Sequence, residues 1–235
     1  MKENKPSIPS IKVIIPALNE AASIGQVIDE LPALVTEVVV VDNGSTDHTA
    51  LVAQKHGATV LQEKRKGYGY ACLCGLEYLS LNPPQIVVFL DGDYADYPAD
   101  LALLVTPILQ HQAEFVLGAR AAALREPKSL TPQQLFGNAL ACWLLKILYG
   151  GTFTDLGPFR AIQWECLQSL NMQDKTYGWT IEMQLKILRQ KRTYIEVPVR
   201  YRNRIGQSKV SGTVKGTLMA GYKILGWIFK FYFTK

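Results

Sequence analysis

The stretch Ile86-Val87-Val88-Phe89-Leu90-Asp91-Gly92-Asp93-Tyr94 decides how the rest of the chain is read. An apolar, β-branched and aromatic run ends abruptly in two carboxylates that flank a glycine. Such a run predicts a strand covered on both faces. Asp91 and Asp93 then fall at its carboxyl end, where open α/β sheets place their ligands. In extended chain, residues i and i+2 point the same way, so both carboxylates can face one hard cation. Gly92 leaves room for a phosphate or a metal to approach the backbone. Taken alone, a D-x-D is more often a solvated turn after a strand, so the surrounding chain has to decide.

Working outward, Pro83-Pro84 breaks the chain before this strand, and Pro98 suits the first position of a helix running to about residue 111. Upstream, Ile11–Ala17 reads as a first strand and residues 37–41 as a second. Between them, Ile24, Val27, Ile28 and Leu31 lie on one face of a helix over residues 21–31. Residues 46–56 form a second helix, with Ser45 or Thr46 at its N-cap and Gly57 as a left-handed stop. Residues 58–61 supply a third strand, Tyr68–Leu79 a third helix and Phe115–Ala119 a further strand. This alternation predicts an α/β fold, a mostly parallel sheet with helices on both faces. The second half is more helical, with helices over Pro132–Tyr149 and residues 177–190. A strand over residues 193–201 contains Pro198, which places it at a sheet edge. No repeat or low-complexity linker divides the chain. We expect one catalytic domain over residues 1–210 and a helical tail over residues 211–235.

Composition agrees with an ordered globular protein: 48% of residues are hydrophobic and 19% charged. The formal net charge is +5, and its distribution is uneven. After Glu196 there is no acidic residue, but there are Arg200, Arg202, Arg204, Lys209, Lys215, Lys223, Lys230 and Lys235. Anionic ligands or lipid headgroups suit such a tail. Nucleic acid does not, because no basic–aromatic binding module accompanies it. The four cysteines include no C-x-x-C pair, which favours buried free thiols in a reducing compartment. Residues 1–10 have no apolar signal core, so a cytoplasmic location is expected.

Three predicted strands end in small polar residues: Pro16-Ala17-Leu18-Asn19-Glu20, Asp42-Asn43-Gly44-Ser45-Thr46-Asp47 and Asp91-Gly92-Asp93. Parallel βαβ units bring equivalent ends to one edge, so these loops form one cleft and favour a nucleotide. A G-x-G-x-x-G turn after the first strand is missing, and no Walker-type G-x-x-x-x-G-K-[ST] occurs. Dinucleotide dehydrogenases and P-loop enzymes drop out.

On these residues the chain resembles the family 2 glycosyltransferases, in particular the dolichyl-phosphate mannosyltransferase-like group. Val13-Ile14-Ile15-Pro16-Ala17-Leu18-Asn19-Glu20 is similar to that family's first-strand motif, and Asp42-Asn43-Gly44-Ser45-Thr46-Asp47 to its D-[DN]-G-S-x-D loop. Lys66-Gly67-Tyr68-Gly69 resembles its K-G-x-G entry to the third helix, and Asp91-Gly92-Asp93 its D-x-D. Asp155-Leu156-Gly157-Pro158-Phe159-Arg160 and Arg204-Ile205-Gly206-Gln207-Ser208-Lys209 are similar to its D-x-x-[SG]-x-F-R and R-x-G-x-S-K segments. Six ordered motifs cover nearly the whole chain.

The resemblance implies a glycosyltransferase A-type, Rossmann-like fold and a hexosyltransferase that uses a UDP- or GDP-linked sugar, with inversion. It implies that Pro16, Asn19 and Glu20 line the nucleoside and that Asp42 accepts a hydrogen bond from the base. Lys66 would sit near the phosphates or the base. Asp91 and Asp93 would hold Mg²⁺ or Mn²⁺ against the diphosphate. Arg204, Ser208 and Lys209 would meet phosphate oxygens, and Arg120 and Arg160 would join the nucleotide-sugar contacts. The related polyprenyl-phosphate enzymes often offer a further metal contact two residues after the second aspartate. Here that position is Ala95, with Asp96 next to it. The residue types suit the chemistry, since cleavage of a sugar–phosphate bond leaves negative charge that a divalent cation and guanidinium or ammonium groups stabilise.

Two acceptor classes stay open. A hydroxyl acceptor needs a positioned base, and the resemblance places Asp155 and Glu182 near the acceptor. A lipid phosphate has a second pKa near ~6 and is already a nucleophile at neutral pH. We expect a polyprenyl or other lipid phosphate, with transfer to an alcohol as the rival and a non-catalytic nucleotide-sugar binder as a remote one. In Val214–Phe233, Lys215, Lys223 and Lys230 share one narrow sector of a helix, while Trp227, Ile228, Phe229 and Phe231 fall elsewhere. Three lysines interrupt a membrane span. The helix therefore either lies in the interface at the cytoplasmic face of a membrane, lysines to the headgroups, or docks on the protein itself.

Overall fold

Seven short strands build one sheet: β1 (Ile11–Ala17), β2 (Glu37–Asp42), β3 (Thr59–Gln62), β4 (Ile86–Phe89), β5 (Phe115–Ala119), β6 (Arg160–Gln163) and β7 (Tyr194–Pro198). Their order is β3-β2-β1-β4-β6-β5-β7. The computed structural model describes residues 9–206 and 214–234. Among these residues, eight α-helices surround the sheet: α1 (Ile24–Asp29), α2 (Thr49–Lys55), α3 (Tyr68–Leu79), α4 (Leu101–Leu109), α5 (Pro132–Tyr149), α6 (Trp164–Leu170), α7 (Trp179–Arg189) and α8 (Val214–Phe233). All neighbouring strands pair in parallel except β6, which runs antiparallel to both β4 and β5. The mostly parallel α/β architecture read from the sequence is present.

Period-two alternation along the strands splits the core into two layers. Ile14, Val39, Val41, Val87, Phe89 and Phe115 face α3, α5, α6, α7 and α8. Ile11, Val13, Ile15, Val40, Val88 and Val116 face α1, α2 and α4. β4 is buried on both faces, as its unbroken apolar run requires.

Several boundaries shift for local reasons. The helix expected from residue 21 starts at Ile24, because Ser23 turns its hydroxyl to the carbonyls of Glu20 and Gly92, at 3.2 and 2.8 Å. Neither Ser45 nor Thr46 caps α2. Asp47 accepts the N–H groups of Ala21 and Thr49, at 3.2 and 3.0 Å, and holds the loop open until Thr49. Gly57 does take the left-handed conformation, with φ 86°. Pro98 opens a short 3₁₀ turn that leads into α4. The strand containing Pro198 lies at the sheet edge as expected.

Strand β6 and helix α6 were not legible. Four residues beginning with an arginine after a Gly-Pro-Phe turn carry no alternation that would announce a strand. Yet β6 is what joins the β4 and β5 halves of the sheet.

Helix α8 lies beside α5 and α7. Its Ile228 is fully buried, and the Trp227 Nε1–H donates to Asp174 Oδ2 at 2.6 Å. Lys223 pairs with the same carboxylate at 3.6 Å, and Tyr149 donates to the Ile228 carbonyl. One face of the tail therefore docks on the body. A second face, with Met219, Tyr222, Phe229, Tyr232 and Phe233, points outward. Among the described residues, no helix is long and apolar enough to cross a membrane.

Candidate active site

The register places the polar loops together. Ala17 of β1 lies opposite Asp42 of β2, and Ile14 lies opposite Phe89 of β4. The loops leaving these strands therefore share one edge. Asn19, at φ 55°, accepts the Thr46 N–H through Oδ1 at 2.8 Å and donates its own N–H to Ser45 Oγ at 2.9 Å. Asp42 is buried and accepts the Ser45 N–H at 2.9 Å. These two side chains shape the first and second loops, while Pro16 and Glu20 line the cavity they enclose. Asn43, which sequence reasoning passed over, ties the second loop to the third. Its Nδ2 donates to the carbonyls of Glu63 and Arg65, at 2.9 and 2.8 Å, and its Oδ1 accepts the Gly67 N–H at 2.8 Å.

The K-G-Y-G motif has a steric explanation. A Cβ on Gly67 would sit 2.2 Å from the Lys175 carbonyl oxygen, and one on Gly69 would sit 2.1 Å from that of Asp174. Only glycine lets the start of α3 meet this loop, to which the Gly69 and Tyr70 N–H groups donate at 3.3 and 3.1 Å. Lys66 is left exposed at the cavity rim.

Asp91 and Asp93 both reach the cavity. The Asp91 Oδ1 is buried with no hydrogen-bond partner. Burial, and then the neighbouring Asp93 carboxylate, push the Asp91 pKa up to about 7. Asp93 accepts the Ala95 N–H at 3.0 Å and pairs with Arg204 at 2.6 Å. Burial opposes the Arg204 charge, but Asp93 outweighs it and raises the guanidinium pKa. The Ile205 N–H also bonds the Asp93 carbonyl at 3.0 Å, so the segment after β7 is laced along the D-x-D loop.

Gly92 lines the cavity and also serves packing. A Cβ there would press on Ile24 and Ile15 at 3.3 and 3.4 Å.

Two hard carboxylates, one with an unpartnered buried oxygen, fit a divalent cation that keeps its other positions for diphosphate oxygens and water. Among the described residues, no group of three or more His, Cys, Asp or Glu side chains converges on a metal position. Asp96, beside Ala95, does not line the main cavity. Its two carboxylate oxygens are buried without partners, and burial, followed by the charges of Asp91 and Asp93, raises its pKa well above the ordinary range.

The two candidate bases behave differently from expectation. Asp155 is clamped by Arg120, whose Nε, Nη2 and backbone N–H all donate to it at 2.8, 2.6 and 2.8 Å. Burial would raise the Asp155 pKa, but Arg120 overrides it and holds the carboxyl below the usual range. The pair borders a side cavity of about 230 Å³ that also touches Arg125 and Asn138. Arg120 reaches the main cavity as well.

Glu182 is fully buried and does not line the main cavity. Its oxygens accept the N–H groups of Gln173 and Asp174, at 2.9 and 2.7 Å, and it pairs with Lys186 at 2.6 Å. It is a brace for the loop before α7, which corrects its expected place beside the acceptor.

Arg160 is corrected in the same way. The first residue of β6, it is fully buried and donates to the carbonyls of Leu156, Gly157 and Thr180. Burial lowers its pKa to about 10. It holds backbone together and does not line the main cavity. Ser208 and Lys209 lie outside the described residues.

The main cavity has a volume of about 1150 Å³ and two unlike walls. At the sheet edge stand Glu20, Asn43, Lys66, Asp91, Asp93 and Arg204. Opposite, α5, α7 and α8 contribute Phe136, Leu140, Ala141, Trp179, Ile224 and Leu225. Glu20, Asp91 and Asp93 are the carboxylates that line it among the described residues, and all three belong to the sheet edge.

Comparison with known proteins fits this geometry. An uncharacterized glycosyltransferase of Mycobacterium tuberculosis is 34% identical over 214 residues, covering 90% of this chain and 94% of the relative. A dolichyl-phosphate hexose transferase of Haloferax volcanii is 28% identical over 204 residues, covering 85% and 86%. Among solved structures, glucosyl-3-phosphoglycerate synthase of M. tuberculosis with Mn²⁺, UDP and phosphoglyceric acid superposes with a TM-score of 0.77 at 24% identity, over 97% of this chain and 80% of that one. The same enzyme with Mn²⁺, UDP-glucose and phosphoglyceric acid gives 0.73 at 25% identity, over 94% and 80%. Residues 12–161 match glycosyl transferase family 2. With that match spanning most of the sheet and the D-x-D edge, the chain belongs to glycosyl transferase family 2 and is a glycosyltransferase.

Proposed function

We propose that this enzyme transfers a hexose, with inversion, from a UDP- or GDP-linked donor to a polyprenyl or other lipid phosphate. The nucleoside lies along Pro16 to Glu20 and the Asn43 loop. Asp91 and Asp93 hold Mg²⁺ or Mn²⁺ beside the diphosphate, and the cation neutralises charge that develops on the leaving nucleotide. Arg204, kept in place by Asp93, offers a second positive charge there. The Arg120 guanidinium, anchored by Asp155, also lines the cavity and suits an acceptor phosphate.

One observation carries the choice of acceptor: among the described residues, the α5, α7 and α8 wall is largely apolar, with Gln133, Gln134, Asn138 and Thr180 as its polar members, and has no carboxylate. A hydroxyl acceptor would need a base there. Asp155 is engaged with Arg120, and Glu182 is sealed behind the wall. An acceptor phosphate needs no base, because its own second ionisation near ~6 has already made it a nucleophile. The apolar wall suits the isoprenoid chain attached to it.

The exposed aromatic faces of α5 and α8 favour a peripheral seat on the lipid surface that carries such an acceptor. Phe136, Trp143 and Ile147 stand on α5, and Tyr222, Phe229 and Phe233 on α8.

The test is transfer from a labelled nucleotide sugar, with Mn²⁺, to a polyprenyl phosphate in detergent and separately to phosphoglyceric acid. Label extracted into organic solvent supports the proposal. Label recovered only in phosphoglyceric acid would assign the enzyme to a soluble hydroxyl acceptor, like its structural neighbour.

A further inference from the structure

Arg200, Arg202 and Arg204 alternate along the segment after β7, and each of them meets a carboxylate. Arg200 pairs with Asp100, just before α4, at 2.5 Å, Arg202 with Glu30, just past α1, at 3.0 Å, and Arg204 with Asp93 at 2.6 Å. Of the three, only Arg204 lines the main cavity. Arg202 is turned onto the protein, with its side chain 15% exposed. Its Nε donates to the Tyr94 carbonyl at 2.7 Å, and its backbone N–H to the Ala95 carbonyl at 2.9 Å. Its guanidinium lies over the Tyr94 ring, 3.2 Å from the centroid. The Tyr94 hydroxyl in turn donates to Glu30, the carboxylate that Arg202 also meets.

Tyr94 directly follows Asp93, and its φ of 64° is a left-handed conformation that bulky side chains rarely adopt. Such strain persists only where the surroundings over-determine it, and it clusters where a site has to be held in one arrangement. Arg202 supplies that constraint, since one guanidinium engages the carbonyl, the ring and the hydroxyl's partner of the strained residue. A planar fork of donors can do this, and a lysine ammonium cannot. Beyond Arg202, the Ile205 N–H bonds the Asp93 carbonyl at 3.0 Å. Arg204 therefore stands between two ties to the D-x-D loop.

We propose that Arg202 and Tyr94 are positioning residues for the diphosphate site. Their clamp docks the segment that carries Arg204 on the D-x-D loop and fixes the Asp93–Arg204 pair at the cavity. The inference rests on the nucleotide-diphosphate reading above. Neither Tyr94 nor Arg202 lines the main cavity, so their effect on a ligand passes through Asp93 and Arg204. A displaced segment would carry the guanidinium away from the Asp93 carboxylate, and the anchor of the β-phosphate would weaken while the nucleoside loops stayed in place.

The test uses the full chain and calorimetry with Mn²⁺. The probes are UDP and UMP, or GDP and GMP if the wild type binds GDP more tightly. The variants are Arg202→Lys, which keeps the charge without the fork, Tyr94→Gly, which eases the backbone but removes the ring, and Tyr94→Phe, which keeps the ring. The double variant Tyr94→Gly with Arg202→Lys completes the set, and each is checked for wild-type melting. If the glycine variants fail to fold, Arg202→Lys and Tyr94→Phe keep the test intact.

Arg202→Lys and Tyr94→Gly are each expected to weaken the diphosphate about tenfold, with the monophosphate unchanged within about twofold. Tyr94→Phe is expected to bind both nucleotides like the wild type. The double variant should be no weaker than the weaker single variant, because the two side chains act as one unit. Equal weakening of both nucleotides would overturn the inference in favour of a general structural role. Undiminished diphosphate binding by Arg202→Lys or by Tyr94→Gly would overturn it too, as would additive losses in the double variant. A wild type that binds the diphosphate no more tightly than the monophosphate would overturn the diphosphate reading itself. That outcome is separable, because it appears before any variant is made.

Discussion

The two walls of the cavity are built from different chemistry and were legible to different degrees. The sheet-edge wall is polar, is made of loops that follow strands, and carries the motifs. The helical wall is apolar and carries almost none. Charge develops on the nucleotide side of a sugar transfer, so carboxylates, a lysine and an arginine are concentrated there. On the proposed reading, the opposite wall has only to seat a greasy acceptor and exclude water, which many apolar side chains do equally well. A function that depends on few atoms leaves a motif, and one that depends on area leaves only composition.

The contrast is broken most severely at the sheet edge. Asp91→Ala or Asp93→Ala is expected to reduce transfer about a thousandfold or more, measured as labelled product, with no loss of fold by circular dichroism. Retention of activity by both variants would remove the metal from the account. Between the walls, Asp155→Asn leaves Arg120 buried without its counter-charge, at an expected cost of about 3 kcal/mol in urea unfolding. The wild-type pair also fixes a pH dependence. The folded Asp155 pKa lies below its ordinary 3.8, so its contribution to stability is present above that value. It is lost as pH falls through the folded value, because the folded state resists the proton that the unfolded state takes up. Acid titration of stability in Asp155→Asn is expected to be flatter over this range than in the wild type.

On the helical wall, Leu140→Asp is expected to raise the KM for a long-chain polyprenyl phosphate about tenfold while donor affinity stays put. An equal effect on both substrates would mean that the two walls are not functionally separate. Smallest in stability terms, Phe229→Ser with Phe233→Ser on the outer face of α8 should change unfolding by roughly 0.5 kcal/mol or less. The same double variant should lower co-flotation with anionic vesicles. Undiminished flotation would leave the tail as a docked helix and nothing more.

Much of the sheet was legible because its signals are local. β1, α3, β5 and α5 have the bounds that their periodicity predicts, and the edge position of β7 follows from Pro198. β6 was not, since four residues entered through Arg160 carry no pattern that a single sequence displays.

The same asymmetry runs through the site. The D-x-D and K-G-Y-G motifs announced themselves, although Gly67, Gly69 and Gly92 turn out to serve close packing. Glu182 and Arg160 were placed in the cavity by resemblance, but residue type does not reveal which way a side chain points. Glu182 instead neutralises backbone N–H groups at 173 and 174, and Arg160 backbone carbonyls at 156, 157 and 180.

The central claim is that the helical wall receives an acceptor that brings its own negative charge. The most direct measurement compares a polyprenyl phosphate with the polyprenol of the same chain length, using one nucleotide sugar and Mn²⁺ across pH 5 to 9. The account predicts transfer to the phosphate alone, with kcat/KM falling below roughly pH 6 as the acceptor is protonated. Comparable transfer to the alcohol, governed by an enzyme base titrating near neutrality, would contradict it.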